Sequence, residues 1–394
     1  MTILALDRAT HARGPLERCV GDPHAFLRDA WGHHAAVHAG VSDHGFDDLL
    51  TLDDVDRFLT TTALRTPFFR LVKAGEQIPE AAYTRSGRTG SRDVKGMADP
   101  SRVAALFQDG ATIVLQGVHR WSEPVTRFTR DLELELCHPC QVNAYVTPPG
   151  AQGLELHEDA HDVFVLQAFG SKRWQVHAAP REEARGPLEA EITAGDTMYM
   201  PAGTPHAAAA QHVVSGHLTV GVHVTPWREV LQGILSKLTG SVDGPIPAAW
   251  TRDPDGFSRA LRERLHALAG EIDHIDTNEE TRARIERWLS TRAQISRGSI
   301  AERSEPLRVV DATVLRRREG AVCEVRVNGD LVIAMLGDRR LEMPLWLEPA
   351  MRRIAVVDAF TVGELSSVVP DPESRVVLTR RLVLEGLLTR DRGE

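Results

Sequence analysis

The sequence predicts an α+β protein built around a small β-barrel, with helices on its C-terminal side. Three observations carry this. From Glu135 to about Val224 the chain breaks into short apolar or alternating runs, among them QVNAYVTPP, DVFVLQAFG, KRWQVHA, AEITAGDTMYMPAG and GHLTVGVHVTP. Gly and Pro punctuate them, which is the pattern of closely spaced strands in a barrel or sandwich. After Pro226 the texture changes: WREVLQGILSKL, FSRALRERLHALAGEI and NEETRARIERWLSTRAQI carry apolar residues at three- and four-residue spacing, as amphipathic helices do. From about Leu307, VCEVRVNGDLVIAML reads as a hairpin with an Asn-Gly-Asp turn, and LEPAMRRIAVV, FTVGELSSVV and ESRVVLTRRLVLEGLLTR follow as helices with short strands between. That last stretch resembles a winged helix.

The expected organisation is therefore a barrel with a mixed N-terminal region over 1–226, a helical segment over 227–303 and a winged-helix-like end over 304–394. Within the first part, FDDLLTLDDVDRFLT has the Asp-rich start of a helix, and VAALFQDGATIVLQGV reads as helix, turn and strand. Residues 80–100 are polar and rich in Gly, Ser and Arg, and read as a mobile loop.

Composition sets outer limits. A formal net charge of −9 argues against strong non-specific nucleic-acid binding, so no direct nucleic-acid partner is expected, though a local basic patch is compatible with that charge. No apolar run reaches the ~18 residues of a membrane span, and the N-terminus lacks a basic region followed by an apolar one. The expectation is a cytoplasmic protein without membrane attachment. Four cysteines fit a reducing compartment. Cys137 and Cys140 form a CxxC, but no second Cys or His pair completes a zinc site, so they read as structural.

The residues that carry chemistry begin with His157-Glu158-Asp159. On a strand, i and i+2 share a face, so an imidazole and a carboxylate lie side by side. One further His would complete two histidines and one carboxylate, which leaves metal positions open for substrate and oxygen. A second His-x-Asp, His274-Ile-Asp276, lies between helices with no histidine after it, and reads as a helix start. Downstream of the first copy, Gly195-Asp196 makes a turn, TMYMP a strand, and Ala202-Gly203-Thr204-Pro205 a tight bend that releases His206. His206 is the first choice for third ligand, with His217 next and His212 and His223 behind. The same stretch, His157-Glu158-Asp159-Ala160-His161, also spells the HExxH of zinc peptidases. That motif requires a helix, and the flanking TPPGAQG and DVFVLQAFG oppose one.

With both halves in place, VNAYVTPPGAQGLELHEDAHDVFVLQAFGSKRWQVH, AGDTMYMPAGTPHAA and SGHLTVGV, the chain resembles the JmjC-type ribosomal oxygenases of the cupin superfamily. The resemblance is strong over about 140–224 and looser elsewhere. It implies a double-stranded β-helix (the cupin/JmjC barrel), a helical dimerisation segment and a winged-helix-like end. It implies Fe(II) on His157, Asp159 and His206, with 2-oxoglutarate as cosubstrate and O2 as oxidant. Lys172 falls where a basic residue grips the far carboxylate of 2-oxoglutarate. Asn143, Tyr145, His217 and Thr219 fall around the same pocket, whereas Trp174 reads as core. The chain departs from the pattern at Glu158, where a Tyr or another bulky residue is usual.

The implied activity is hydroxylation of a protein side chain, Arg or His, on a ribosomal protein. Hydroxylation of a peptide natural product, N-methyl-lysine demethylation and a non-catalytic cupin binding module are the competing readings.

Overall fold

A computed structural model of the chain describes residues 14–41, 45–151, 155–177, 187–210, 212–240, 242, 244–292, 299–304, 308–318 and 320–390. It divides into two compact units, with the boundary between Val224 and Thr225.

In the N-terminal unit, helices α1 (Pro15–Val20), α2 (Pro23–Asp29), α3 (Leu52–Thr61), α4 (Pro100–Gln108) and α5 (Glu123–Leu136) begin where their sequences say they should. Four of them carry Pro in the first turn, where its missing N–H costs nothing. The fifth, α3, opens with a reciprocal Thr51/Asp54 capping box. The strands are β1 (Ala36–His38), β2 (Phe69–Lys73), β3 (Glu76–Gln77), β4 (Thr84–Thr89), β5 (Arg92–Ala98), β6 (Thr112–Leu115), β7 (Cys140–Thr147), β8 (Asp162–Phe169), β9 (Ser171–Val176), β10 (Leu188–Thr193), β11 (Thr197–Met200), β12 (His206–Ala210) and β13 (Ser215–Val222).

Eight of these form one antiparallel sheet in the order β1-β11-β8-β13-β7-β6-β2-β3, and three form a smaller one, β10-β9-β12. Strand alternation sorts the residues of the large sheet into two sets. Val142, Ala144, Val146, Phe164, Leu166, Leu218, Val220 and Val222 pack with Val125, Phe128, Leu132 and Leu136 of α5 and with α1–α3 in the main core. The opposite set, Val163, Val165, Met198 and Met200, packs against Trp174, Val176 and Ile192 of the small sheet. The layers are therefore helices, large sheet, small sheet, and the candidate site lies between the two sheets.

Two expectations change. Residues 80–100 are not a loop: β4 and β5 pair as a two-stranded ribbon with a bulge between Arg85 and Gly87. Small polar residues and Gly hid the pattern, because neither strand buries a face. The sheet also recruits β1, β2, β3 and β6 from the mixed N-terminal region, so the barrel sheet is wider than the run of strands from 135 to 224.

In the C-terminal unit, α6 (Trp227–Thr239), α7 (Pro254–Asp273), α8 (Thr277–Ser290) and α9 (Ser299–Ser304) follow in order. Asp276 caps α8 through the Asn278 N–H at 2.8 Å, as a helix-start residue should. Neither α6 nor α7 has a buried residue. Strands β15 (Glu324–Asn328), β16 (Leu331–Leu336) and β17 (Arg339–Pro344) form a meander whose first turn is the expected Asn-Gly-Asp hairpin. Strand β14 (Val314–Arg317) lies between β18 (Ala359–Thr361) and β19 (Leu388–Arg390). Helices α10 (Glu348–Val356) and α11 (Pro372–Leu384) share a core with these strands through Leu315, Val332, Leu336, Ile354, Leu382 and Leu388. No helix among the described residues is long and apolar enough to cross a membrane.

Candidate active site

His157, Asp159 and His206 come together with one ligand atom from each within 4.8 Å of the others. Sequence reasoning placed His157 and Asp159 on a strand; they lie instead on an irregular segment joined to β12 by a single bridge. In that bridge the His157 N–H donates to the His206 carbonyl at 3.1 Å, and the His206 N–H donates to the His157 carbonyl at 2.8 Å. The bridge sets the two imidazoles side by side, their centroids 4.4 Å apart. Asp159 Oδ2 lies 3.8 Å from His206 Nε2.

Both imidazoles are held in one tautomer. His157 Nδ1 lies 2.7 Å from the Glu155 carbonyl and His206 Nδ1 lies 2.9 Å from the Thr204 carbonyl. A carbonyl only accepts, so each Nδ1 carries the proton and each Nε2 is free to take a cation. Burial holds the pKa of His206 below the usual histidine value, which keeps it neutral and ligating.

The bend that delivers His206 is tied to the segment carrying Asp159. The Gly203 N–H donates to the Asp159 carbonyl at 2.8 Å, and the Ala202 N–H donates to Asp162 Oδ1 at 3.0 Å. The other oxygen of buried Asp162 accepts from the Tyr199 hydroxyl, and that hydroxyl accepts from the Gly32 N–H at 2.8 Å.

An open cavity of about 450 Å³ runs from these three residues between the sheets. Val163, Val165, Trp174 and Met200 form its apolar wall, and Tyr145, Lys172, His217 and Thr219 supply the polar one. Lys172 is 2% exposed. Its ammonium donates to Thr147 Oγ1 at 3.2 Å, and no carboxylate pairs with it among the described residues. Burial without a counter-charge brings its pKa from 10.5 down to about 7. His217 is also buried and stacks on Tyr145, with centroids 5.2 Å apart and rings within 6° of parallel. Burial, and then the neighbouring Lys172 charge, push its pKa well below the usual value. Asn143 stands apart from the cavity wall: its Oδ1 accepts from the Gly117 N–H at 2.9 Å and so fixes the chain after β6.

Residues 119–230 match the JmjC domain family model, a span that includes every residue just described except Gly32 and Gly117. Human ribosomal oxygenase 1 is 28% identical over 231 residues, covering 54% of this chain and 35% of the relative. The Dictyostelium discoideum protein described as bifunctional lysine-specific demethylase and histidyl-hydroxylase NO66 is 26% identical over 213 residues, covering 50% and 40%. The chain thus carries a JmjC domain and is similar to the ribosomal oxygenases. It spans little more than a third of the length of the relatives it matches. In fold it is similar to the Escherichia coli ribosomal oxygenase YcfD: a structure of that protein with cobalt and 2-oxoglutarate gives a TM-score of 0.52 at 19% identity, covering 93% of this chain and 98% of that one.

The JmjC domain also gathers residues that sequence reasoning did not select. On the inner face of β7 and β13, one step of about 7 Å beyond Asn143 and Thr219, Gln141 lies opposite Gly221. The ring of His161 sits over Gly221, so that a Cβ there would come within 2.8 Å of its Nε2. Gln141 Nε2 donates to that nitrogen at 3.0 Å, and His223 lies edge-on to the ring at 5.1 Å. The signal for His161 was present in HEDAH but was read as a rival motif. Residues 155–161 are not helical, so the zinc peptidase reading of His157, Glu158 and His161 fails. Cys137 is exposed and Cys140 buried, and both lie outside any candidate metal cluster among the described residues.

Proposed function

We propose that this JmjC-domain protein is an Fe(II)- and 2-oxoglutarate-dependent oxygenase that hydroxylates a side chain of a protein, with a ribosomal protein as the substrate and Arg or His as the modified residue. One observation carries the reading: a two-histidine, one-carboxylate set opens onto a cavity that also contains a buried, unpaired ammonium. The donor set is that of non-haem iron oxygenases. A lone buried cation is costly unless an anion meets it, and a dicarboxylate that reaches both the metal and Lys172 supplies one. The residues therefore fit the group.

Bound there, iron and 2-oxoglutarate supply the oxidising power that inserts an oxygen atom from O2 into a C–H bond, with succinate and carbon dioxide as co-products. The chain's own residues prepare this. His157 and His206 present Nε2, with each ring fixed by a backbone carbonyl, and Asp159 supplies the carboxylate. Lys172, steadied by Thr147, takes the far carboxylate of the cosubstrate. His217 stays neutral beside Lys172 and adds no second charge, and Tyr145 stacks on it. Thr219 completes that wall, and Asn143 holds the neighbouring chain in place. Val163, Val165, Trp174 and Met200 keep water from the reacting centre.

The helices after Pro226 support a homodimer. Trp227, Leu231 and Leu235 of α6 and Leu261 and Leu265 of α7 are all exposed, and two helices that bury nothing need a partner surface. A second copy presenting the same face is that partner. Residues 304–394 fit a winged-helix-like module. A count of four cysteines suits a cytoplasmic location.

The test needs no substrate. Anaerobic titration of the apoprotein with Fe(II) and then 2-oxoglutarate is expected to give the weak visible band of the chelate. Asp159→Ala removes it and Lys172→Ala weakens it. Tight zinc binding with no band would overturn the proposal.

A further inference from the structure

The ribbon formed by β4 and β5 is the part of the N-terminal unit that the proposed reaction leaves unused. Its root is firmly built: the Thr66 N–H donates to the Gly96 carbonyl at 3.0 Å, the Ala98 N–H to Leu64 at 2.8 Å and the Asp99 N–H to Tyr83 at 3.0 Å. Tyr83 is fully buried. Beyond the root, the ribbon has no third strand and both of its edges are unpaired among the described residues.

Its composition is opposite to that of the chain. Across residues 84–98, Arg85, Arg88, Arg92 and Lys95 stand against one carboxylate, Asp93, a net +3 within a protein of net −9. All four cations are exposed. Arg88 and Asp93 approach to 3.5 Å with both side chains more than 70% exposed, a pair worth little. Arg85, Arg92 and Lys95 have no carboxylate partner among the described residues. These charges do not hold the fold together. Cations on an edge strand can serve simply to prevent strand pairing, but a few on one edge would suffice for that.

Here they occupy both faces. Arg88 pairs across the ribbon with Asp93 and Thr89 pairs with Arg92. Adjacent pairs point to opposite faces, so Arg88 and Arg92 lie on opposite sides. The residues between them are Ser, Thr and Gly, which allow close approach and offer hydroxyl donors. An acidic peptide lying along one face would use half of this arrangement. A groove walled by phosphates on both sides uses all of it. The ribbon contains no aromatic residue, so it has nothing on which a base could stack, and recognition would run through the backbone.

We propose that the Thr84–Ala98 ribbon docks the protein on the phosphate backbone of structured RNA, independently of base sequence. Only the choice of RNA over DNA rests on the proposed ribosomal substrate; the charge argument does not.

The experiment is fluorescence anisotropy of the full chain with a labelled duplex RNA of about 20 base pairs, across a salt series. Three or four phosphate contacts predict micromolar-range binding at low salt and a log–log salt slope of about −3. Reversing the four ribbon cations (Arg85→Glu, Arg88→Glu, Arg92→Glu, Lys95→Glu) is expected to weaken binding more than tenfold. An equal change of charge elsewhere (Arg57→Glu, Arg127→Glu, Arg352→Glu, Arg380→Glu) is expected to leave it within about threefold. Melting curves of both variants establish folding. No binding at 50 mM salt, equal loss in the two variants, or tighter binding of a DNA duplex or a polyglutamate peptide overturns the proposal. The chelate titration is unaffected by any of these outcomes, so failure here and failure of the oxygenase reading are separable.

Discussion

Replacing Lys172 with Met makes two opposite changes, and their combination is diagnostic. Burial lowers the ionisation of this lysine from 10.5 to about 7, which corresponds to about 5 kcal/mol of penalty on the charged form. The sign follows from proton counting. The folded-state pKa lies below the unfolded one, so between about pH 7 and 10.5 the unfolded chain binds more protons. Stability from this group therefore rises with pH through that window and is lowest at and below pH 7. A Met of similar length has no charge to desolvate. Lys172→Met is expected to stabilise the cosubstrate-free protein by about 2–5 kcal/mol near pH 6.5, allowing for some water entry in the wild type. The gain should shrink to about 1 kcal/mol by pH 9.5.

The same substitution removes the cation proposed to meet the cosubstrate. Losing one partner of a buried charge pair costs about 2–5 kcal/mol of binding, so 2-oxoglutarate is expected to bind roughly 10²- to 10³-fold more weakly. The assays are urea unfolding of the apoprotein at the two pH values and the anaerobic chelate titration. A variant that is less stable than wild type at pH 6.5 and still forms the chelate with unchanged affinity would refute the view of Lys172 as an unpaired cation awaiting an anion.

Cosubstrate affinity should itself depend on pH: binding needs the ammonium, so the apparent Kd rises above about pH 7, by up to tenfold per unit, as read by titration of the wild type. Asp162→Asn removes an acceptor that ties β8 to the bend carrying His206, and is expected to weaken Co(II) or Fe(II) affinity roughly 10- to 100-fold with little loss in melting temperature. Gly221→Val would press on the His161 ring; the chelate titration should be unchanged while turnover of a protein substrate falls, and unchanged turnover would remove this cluster from the substrate path. Leu231→Glu combined with Leu265→Glu should yield a monomer by light scattering if the exposed faces of α6 and α7 join two copies.

The grouping of His157, Asp159 and His206 was readable from sequence because it depends on short-range features. His157 and Asp159 are two residues apart, and the Gly-Pro bend before His206 announces a strand delivering a side chain to an existing site. Lys172 was not readable on its own. A lysine after Gly170 at the start of a strand looks solvated, and only the pairing of β9 with β10 and β12 encloses it; family resemblance pointed to it, and geometry supplies the reason. Asn143 shows the reverse. Strand alternation puts it on the inner face with Tyr145, yet its carboxamide is taken by Gly117, a contact 26 residues away that no local pattern encodes. The ribbon over 84–98 was missed because strands are recognised by a buried face, and it has none.

The same alternation explains how one sheet serves both as scaffold and as site. Along β7 the odd and even residues part company: Val142, Ala144 and Val146 enter the helix-covered core, while Gln141, Tyr145 and Thr147 face the cavity side. Along β13, Leu218, Val220 and Val222 do the first and His217, Thr219 and Gly221 the second. A one-residue slip in either strand would exchange these sets completely, burying the polar residues under α5 and filling the cavity with valine. The apolar set therefore fixes the register on which the polar set depends. Polar residues of the inner face are free to change without unfolding the sheet, provided the outer set is kept. That freedom accounts for an irregular feature such as His161 lying over Gly221: the space for the ring comes from a glycine on the inner face, while Val220 and Val222 on either side of it hold the strand in place.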